Sequence, residues 1–450
     1  MKTSTGSAPA SPALNPKAAV PVLLFSFVFC LVVDNGFKTM TGPMAEGLGI
    51  APNVASLQAS LAGVIIGIGA VVYAALADSI SIRKLMIVGV ILTTVGSLMA
   101  FFFSTIWPMV LLGRIVQTAG LASAETLYVI YVTKHLEEKD QKTYLGFSTA
   151  AFQSGLLIGA LTSGFISTYI SWTAMFLVPL VLILTVPFLI KNVPEEVSTD
   201  GSLDLYGLIL IAVFAASLTM FLQAYNPIWL VMAIAGIALF AFHVVKGKAP
   251  LVTVEFFKNQ RYVWAIALVF IIYSTQLGYI FLLPFAGSDL YGLSQDRSAM
   301  LMIPGYVCAI IVGVLSGKIG RVLNSRITIL IALASIIAAL LLGVLAIEVS
   351  IWVMVFSIVL FASGFALLYA PLVKTALSNI PAAKSGIAIG FYNLTINIGI
   401  PLGIAYTARL QATDLSYNSI LLVLALIAAF GTAMYFMADY FMSVKEKRAA

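Results

Sequence analysis

Apolar runs about twenty residues long recur along the chain, separated by short polar stretches. Fourteen can be marked. The first six are Ala19 to Thr41, Val54 to Ala77, Leu85 to Ser104, Trp107 to Thr133, Tyr144 to Thr168 and Trp172 to Ile190. A pair follows, Leu205 to Gln223 and Ile228 to Val245, joined by the tight turn Tyr225-Asn226-Pro227. The last six are Tyr262 to Ala286, Ala299 to Gly317, Ile327 to Ile347, Trp352 to Val373, Gly386 to Ala408 and Ile420 to Phe441. Continuous runs of this length predict membrane-crossing helices, because about twenty residues rising 1.5 Å each span a hydrocarbon core roughly 30 Å thick. A membrane barrel would instead alternate apolar and polar positions over strands of about ten residues. An even number of crossings predicts both ends on the same side.

Composition agrees with this pattern: of 450 residues, 61% are hydrophobic and 9% charged, with a mean hydropathy of +1.06. A soluble domain carries about 25% charged residues and could not hide so much apolar surface. The expected fold class is therefore an all-α polytopic membrane protein. Met1 to Lys17 reads as a disordered polar tail, not a cleavable leader.

The net charge of +6 says less than where the charges fall. With the N-terminus inside, 24 basic residues are cytoplasmic save for Lys38, Arg114, Arg297 and Arg409, as the positive-inside rule requires. That distribution points to a lipid bilayer rather than to nucleic acid as the partner. Cys30 and Cys308 both lie inside apolar runs and read as packing residues. His135 and His243 are far apart, so no metal site is expected, and no phosphate-binding loop or nucleophile elbow appears.

The two ends of the chain resemble each other. Ala74-Ala-Leu-Ala-Asp-Ser-Ile-Ser-Ile-Arg-Lys84 follows the second run as Gly313-Val-Leu-Ser-Gly-Lys-Ile-Gly-Arg321 follows the tenth. Two pseudo-symmetric six-helix bundles, 19–190 and 261–442, are expected around a 191–260 linker with two extra helices, flanked by tails 1–18 and 443–450. Such repeats predict a transporter with its site near the midplane between them.

The fourth run carries charge where charge is costly. Arg114 and Glu125 would each cost roughly 2.5 to 3.5 kcal/mol in hydrocarbon, so both must face protein or water. They are separated by about 16 Å of helix and about 20° of rotation, and with Gln117, Thr118 and Tyr128 they mark one polar face. That face either lines a wet path or holds a structural ion pair. Asp34, in the first run, falls at the depth of Arg114 and can neutralise it. Glu125 has no cation at its own depth, which suits it to take and release protons. Segments nine to fourteen lack a mid-depth acid but offer Tyr273, Gln276, Tyr279, Tyr306, Tyr369, Tyr392, Asn393 and Asn397, a wall suited to a bulky amphipathic molecule. Gly155 and Gly159, in small-xxx-small spacing, permit close helix contact.

These residues resemble the major facilitator superfamily, and within it the fourteen-helix drug:proton antiporters. Leu76, Ala77, Asp78, Arg83 and Lys84 match the family's Gly-Xaa-Leu-Ala-Asp-Xaa-Xaa-Gly-Xaa-Arg-Lys loop, with Ala74 and Ser81 replacing its glycines. Arg114-Ile-Val-Gln-Thr118 is similar to its Arg-Xaa-Xaa-Gln-Gly stretch, and Asp34 matches the acid of the first helix. The antiporter motif aligns at Gly155, Gly159 and Gly164 but has Ala160 for proline and Ser163 for glycine. Ala124-Glu-Thr-Leu-Tyr128 and Gly390-Phe-Tyr-Asn-Leu394 resemble stretches of Gram-positive tetracycline efflux transporters of the staphylococcal chromosomal type.

The resemblance implies a monomeric, multi-pass exporter of amphipathic drugs, tetracyclines among them, in the bacterial cell membrane. It would need no cofactor, being driven by the proton gradient. Asp34, Glu125 and Arg114 would couple protons, and Gln117, Tyr128, Gln153, Tyr392, Asn393 and Asn397 would bind the cargo. Asp78, Arg83 and Lys84 would latch the cytoplasmic side. A native metabolite or lipid, or a monovalent cation exchanged for protons, stands as alternative cargo. A receptor or membrane enzyme is disfavoured by the missing sensor domain and catalytic constellation.

Overall fold

A computed structural model describes residues 16–50, 52–195, 204–247, 250, 257–293, 295–411, 413 and 415–449. The expected N-terminal tail is described only from Pro16; Lys2, Lys248 and part of the 191–260 linker lie outside the described residues. The first bundle comprises α1 (Val20–Thr39), α2 (Leu57–Leu76), α3 (Ile82–Phe102), α4 (Trp107–His135) and α5 (Glu138–Tyr169). It is completed by α6 (Trp172–Asn192), wound as a 3-10 helix over Trp172–Thr185 and as an α-helix over Val186–Asn192. The central hairpin is α7 (Leu205–Ala224) and α8 (Pro227–Lys246). The second bundle comprises α9 (Gln260–Tyr291), α10 (Ile303–Val322), α11 (Ser325–Ala346), α12 (Ile351–Leu377), α13 (Ala382–Gln411) and α14 (Tyr417–Ala449). Among the described residues, thirteen helices are long and apolar enough to cross a membrane, and α7 adds the apolar stretch Leu205–Leu218.

Where helices run past the apolar runs, local chemistry accounts for it. α5 starts at Glu138, six residues before the expected Tyr144, because Glu138 and Asp140 place negative charge in its first turn. Between α7 and α8, Tyr225 takes a left-handed conformation (φ 50°) and Asn226 accepts from the Ile228 amide, which makes the expected tight turn.

Packing repeats with an offset of eight helices. Within the first bundle α1 packs on α5, α2 on α4, and α3 on α4 and α6. Within the second, α9 packs on α13, α10 on α12, and α11 on α12 and α14. α4 is the most buried span, with 78% of its most apolar window inside the protein, so its charges face protein and not lipid. Outward-facing positions such as Ile91, Val95, Leu330 and Phe430 are exposed and apolar, as lipid contact demands.

Lys17 pairs with Asp140 at 2.8 Å, Lys142 donates to the Gly320 carbonyl at 2.5 Å, and Arg326 pairs with Asp439 at 3.0 Å. These contacts gather the start of α1, the start of α5, the end of α10 and the last turns of α14 on one face, the basic face. The bundles meet along two seams related by the same offset, α5 with α10 and α2 with α13. Both seams are closed by glycine toward the basic face. A methyl on Gly146 would meet Ser316 and lie 2.6 Å from the Gly313 carbonyl, and one on Gly313 would lie 2.7 Å from the Ala150 amide. On the other seam a methyl on Gly390 would lie 2.8 Å from Ala74 Cβ, and one on Gly386 would lie 3.2 Å from the Ala74 carbonyl. α7 packs against both α2 and α13.

Candidate functional site

The buried polar face of α4 builds one side of the site. Arg114 is 1% exposed, lies 4.2 Å over the Phe37 ring and donates from Nε to Gln58 Oε1 at 3.2 Å. Its Nη1 donates to Gln117 Oε1, and Gln117 in turn donates to Ser97 at 2.8 Å. Its Nη2 stands 3.5 Å from Asp34 Oδ1, so the pairing expected from equal depth is present. A buried guanidinium needs this many partners, since an uncompensated charge costs several kcal/mol in the interior.

Asp34 has a second cation that matching depths did not suggest. Lys38, one turn further along α1, places Nζ 2.7 Å from Asp34 Oδ2 and 3.1 Å from Asn35 Oδ1. The i,i+4 spacing of Asp34 and Lys38 was the available signal.

Between the bundles lies a cavity lined by both of them. Asp34, Asn35, Lys38 and Glu125 line it from the first bundle with Ser148, Thr149 and Phe152 of α5. Tyr273, Phe365, Tyr369, Asn393, Asn397 and Ile400 line it from the second. Glu125 is partly exposed there, and no hydrogen bond or ion pair joins its carboxylate to another described residue. Tyr273 and Phe365 meet edge to face with centroids 4.8 Å apart, and Asn397 donates back to the Asn393 carbonyl at 2.9 Å.

The remaining candidates occupy a layer behind the lining. Tyr128 is buried, stacks on Phe27 with centroids 5.3 Å apart and donates to the Tyr144 carbonyl at 2.8 Å. Tyr392 is buried against Tyr369, their centroids 6.0 Å apart. Gln153 is fully buried in α5, and Gln117 serves the Arg114 network. Gly155 and Gly159 seat α5 on α1: a methyl on Gly155 would lie 2.5 Å from Leu31 Cβ, and one on Gly159 2.7 Å from the Val32 carbonyl. Gly164 faces open space.

At the basic face Asp78 pairs with Lys134 of α4 at 2.6 Å and lies beside Gly386 of α13. Arg83 donates to the Val193 carbonyl at 2.7 Å and pairs with Glu195 at 3.2 Å, and Lys84 pairs with Glu195 at 3.0 Å. The hydrogen bond from Lys84 holds the Glu195 carboxyl below the usual carboxylate range. These pairs join parts of the first bundle to one another and to the segment just after α6. Among the described residues, an ion pair that crosses between bundles is Glu138 with Lys374 of α12, at 2.5 Å, which sequence spacing gave no means of matching.

The sequence profile described as Major Facilitator Superfamily matches residues 23–404. The chain belongs to the major facilitator superfamily. It is therefore a secondary transporter. Among relatives, it is 25% identical over 397 residues to the quinolone resistance protein NorB of Staphylococcus aureus strain bovine RF122 / ET3-1, covering 85% of this chain and 83% of NorB. To NorB of strain COL it is 25% identical over 420 residues, covering 89% and 88%. Its fold is similar to that of the human organic anion transporter MFSD10 (TETRAN), with a TM-score of 0.70 at 12% identity, covering 95% of this chain and all of that one. It is also similar in fold to the proton:xylose symporter XylE, with a TM-score of 0.64 at 14% identity and 95% of both chains covered.

Proposed function

We propose that this transporter is a proton-coupled antiporter that exports amphipathic drugs, tetracyclines among them, across the bacterial cell membrane by alternating access. The observation that carries this reading is one cavity holding Asp34 and Glu125 on one wall and an aromatic and amide surface on the other. The basic face is the cytoplasmic one by the positive-inside rule. The glycine seams then close the inner side, and the cavity, which reaches Lys38 in the last turn of α1, belongs to an outward-facing state.

In the proposed cycle Glu125 accepts a proton from outside as cargo leaves. The neutral carboxyl permits the inward-facing state, where the proton is released and new cargo binds. Asp34, held by Arg114 and Lys38, keeps its charge compensated throughout. Asn393 and Asn397 orient the cargo, while Gln117, Tyr128, Gln153 and Tyr392 support the lining from behind. Asp78, Arg83 and Lys84 brace the inner ends of α2, α3 and α6, and the chain acts as a monomer. The relatives named for quinolone resistance make fluoroquinolones a second cargo to try.

The test is gradient-driven tetracycline uptake into liposomes by wild type and Glu125→Gln. Uptake that follows the imposed pH gradient and is lost in Glu125→Gln supports the proposal. A folded wild type that moves neither tetracycline nor a fluoroquinolone would overturn it in favour of a native metabolite or a cation.

A further inference from the structure

The charges in direct contact with Asp34 do not balance among themselves. Arg114 and Lys38 both approach one carboxylate, at 3.5 and 2.7 Å, so the trio carries one positive charge in excess at the edge of the cavity, offset among the lining residues by Glu125. A cation that shares its carboxylate with a second cation favours a further anion beside it. Arg114 cannot supply that contact, because it is buried and already committed to Gln58, Gln117 and the Phe37 ring. Lys38 can: it is the one basic residue among the described cavity-lining side chains, and its side chain is 40% exposed. When the flexible lysine turns toward cargo, Asp34 still keeps Arg114, so the exchange strands no buried charge.

Glu125 presents the opposite sign in the same cavity. A purely cationic amphipath would satisfy Glu125 but meet Lys38 as a like charge, and a purely anionic one would do the reverse. We infer that Lys38 is a specificity-determining residue that receives the anionic group of a zwitterionic amphipath, whose cationic group faces Glu125 and whose rings lie on the wall containing Tyr369. The inference rests on the proposal that this cavity is the cargo site and adds to it the charge class of the cargo.

The test uses the full-length protein in lipid nanodiscs with a fluoroquinolone carboxylic acid and its ethyl ester, which keeps the rings and the basic amine but removes the anion. Wild type is expected to bind the acid more tightly than the ester by on the order of tenfold, as a charge-assisted contact provides. Lys38→Met brings the acid down to the level of the ester, and Lys38→Arg keeps the preference. Equal binding of acid and ester by wild type, no binding of either, or a preference that survives in Lys38→Met overturns the inference. The wild-type comparison needs no variant, so a Lys38→Met protein that fails to fold does not shield the idea. Gradient-driven transport of the same compounds reads the parent proposal separately. Acid-selective, Lys38-dependent binding without proton-driven movement would sink the antiport reading and support the role of Lys38. Proton-driven movement of acid and ester alike, with no binding preference, would do the opposite.

Discussion

At the scale of single residues, Arg114 has the most to lose. Its guanidinium meets two glutamines, a carboxylate and a ring within one buried pocket, and each partner matches a different edge or face of a planar group. Arg114→Leu removes the cation and leaves two buried amides short of a partner. Breaking such a buried pair costs about 3–5 kcal/mol. The expected result is a marked fall in the thermal unfolding midpoint of the detergent-solubilised protein. Arg114→Lys recovers only part of it, since an ammonium cannot reproduce the fork; a midpoint unmoved in both variants would refute this account. The Asp34–Arg114 contact was legible in the sequence because two charges at equal depth in hydrocarbon have little choice but to meet. Lys38 was not, because it lay at the edge of an apolar run, where one turn of helix separates a loop residue from a cavity residue.

At the scale of helices, the glycines of α5 serve two neighbours on two faces. Gly155 and Gly159 join it to α1 within a bundle, and Gly146 joins it to α10 across the seam. If the bundles rock, the first contact stays within one moving body, whereas the second must part. Gly313→Val is therefore expected to spare folding but hold the α5–α10 seam apart near the basic face. Thr149→Cys, placed in the cavity wall, provides the readout. Labelling by a membrane-impermeant maleimide should shift several-fold toward the basic face when Gly313→Val is added, and an unchanged sidedness would count against the seam as a gate. The apolar runs made the helices legible, and their lengths followed hydrocarbon thickness. The partners of each helix face were not legible, because periodicity gives an angle around an axis but not the neighbour found there. For that reason Tyr128 and Gln153, on polar or small-residue faces, sit behind the cavity rather than in it.

At the scale of the whole molecule, two bundles held together at one face form a structure with two ways to close. Glu138 and Lys374 tie α5 to α12 across that face. Glu138→Lys sets two like charges opposite each other and should weaken closure and slow gradient-driven transport, while the exchanged pair Glu138→Lys with Lys374→Glu should restore it. Failure of the exchange to rescue would show that position, not charge complementarity, matters there. The twofold internal repeat was legible from the paired loop sequences, which follow helices that pack alike in the two bundles. The offset of α7 and α8 was not, since nothing in a lipid-facing hairpin states where it docks. It docks unevenly: α7 lies along the α2–α13 seam, and among the described residues no helix of the hairpin covers α5–α10. The protein thus meets the bilayer with unequal flanks, lipid pressing directly on one and through a helical cushion on the other. If the bundles rock as proposed, changes in membrane thickness or lateral pressure should act on that equilibrium mainly from the bare side.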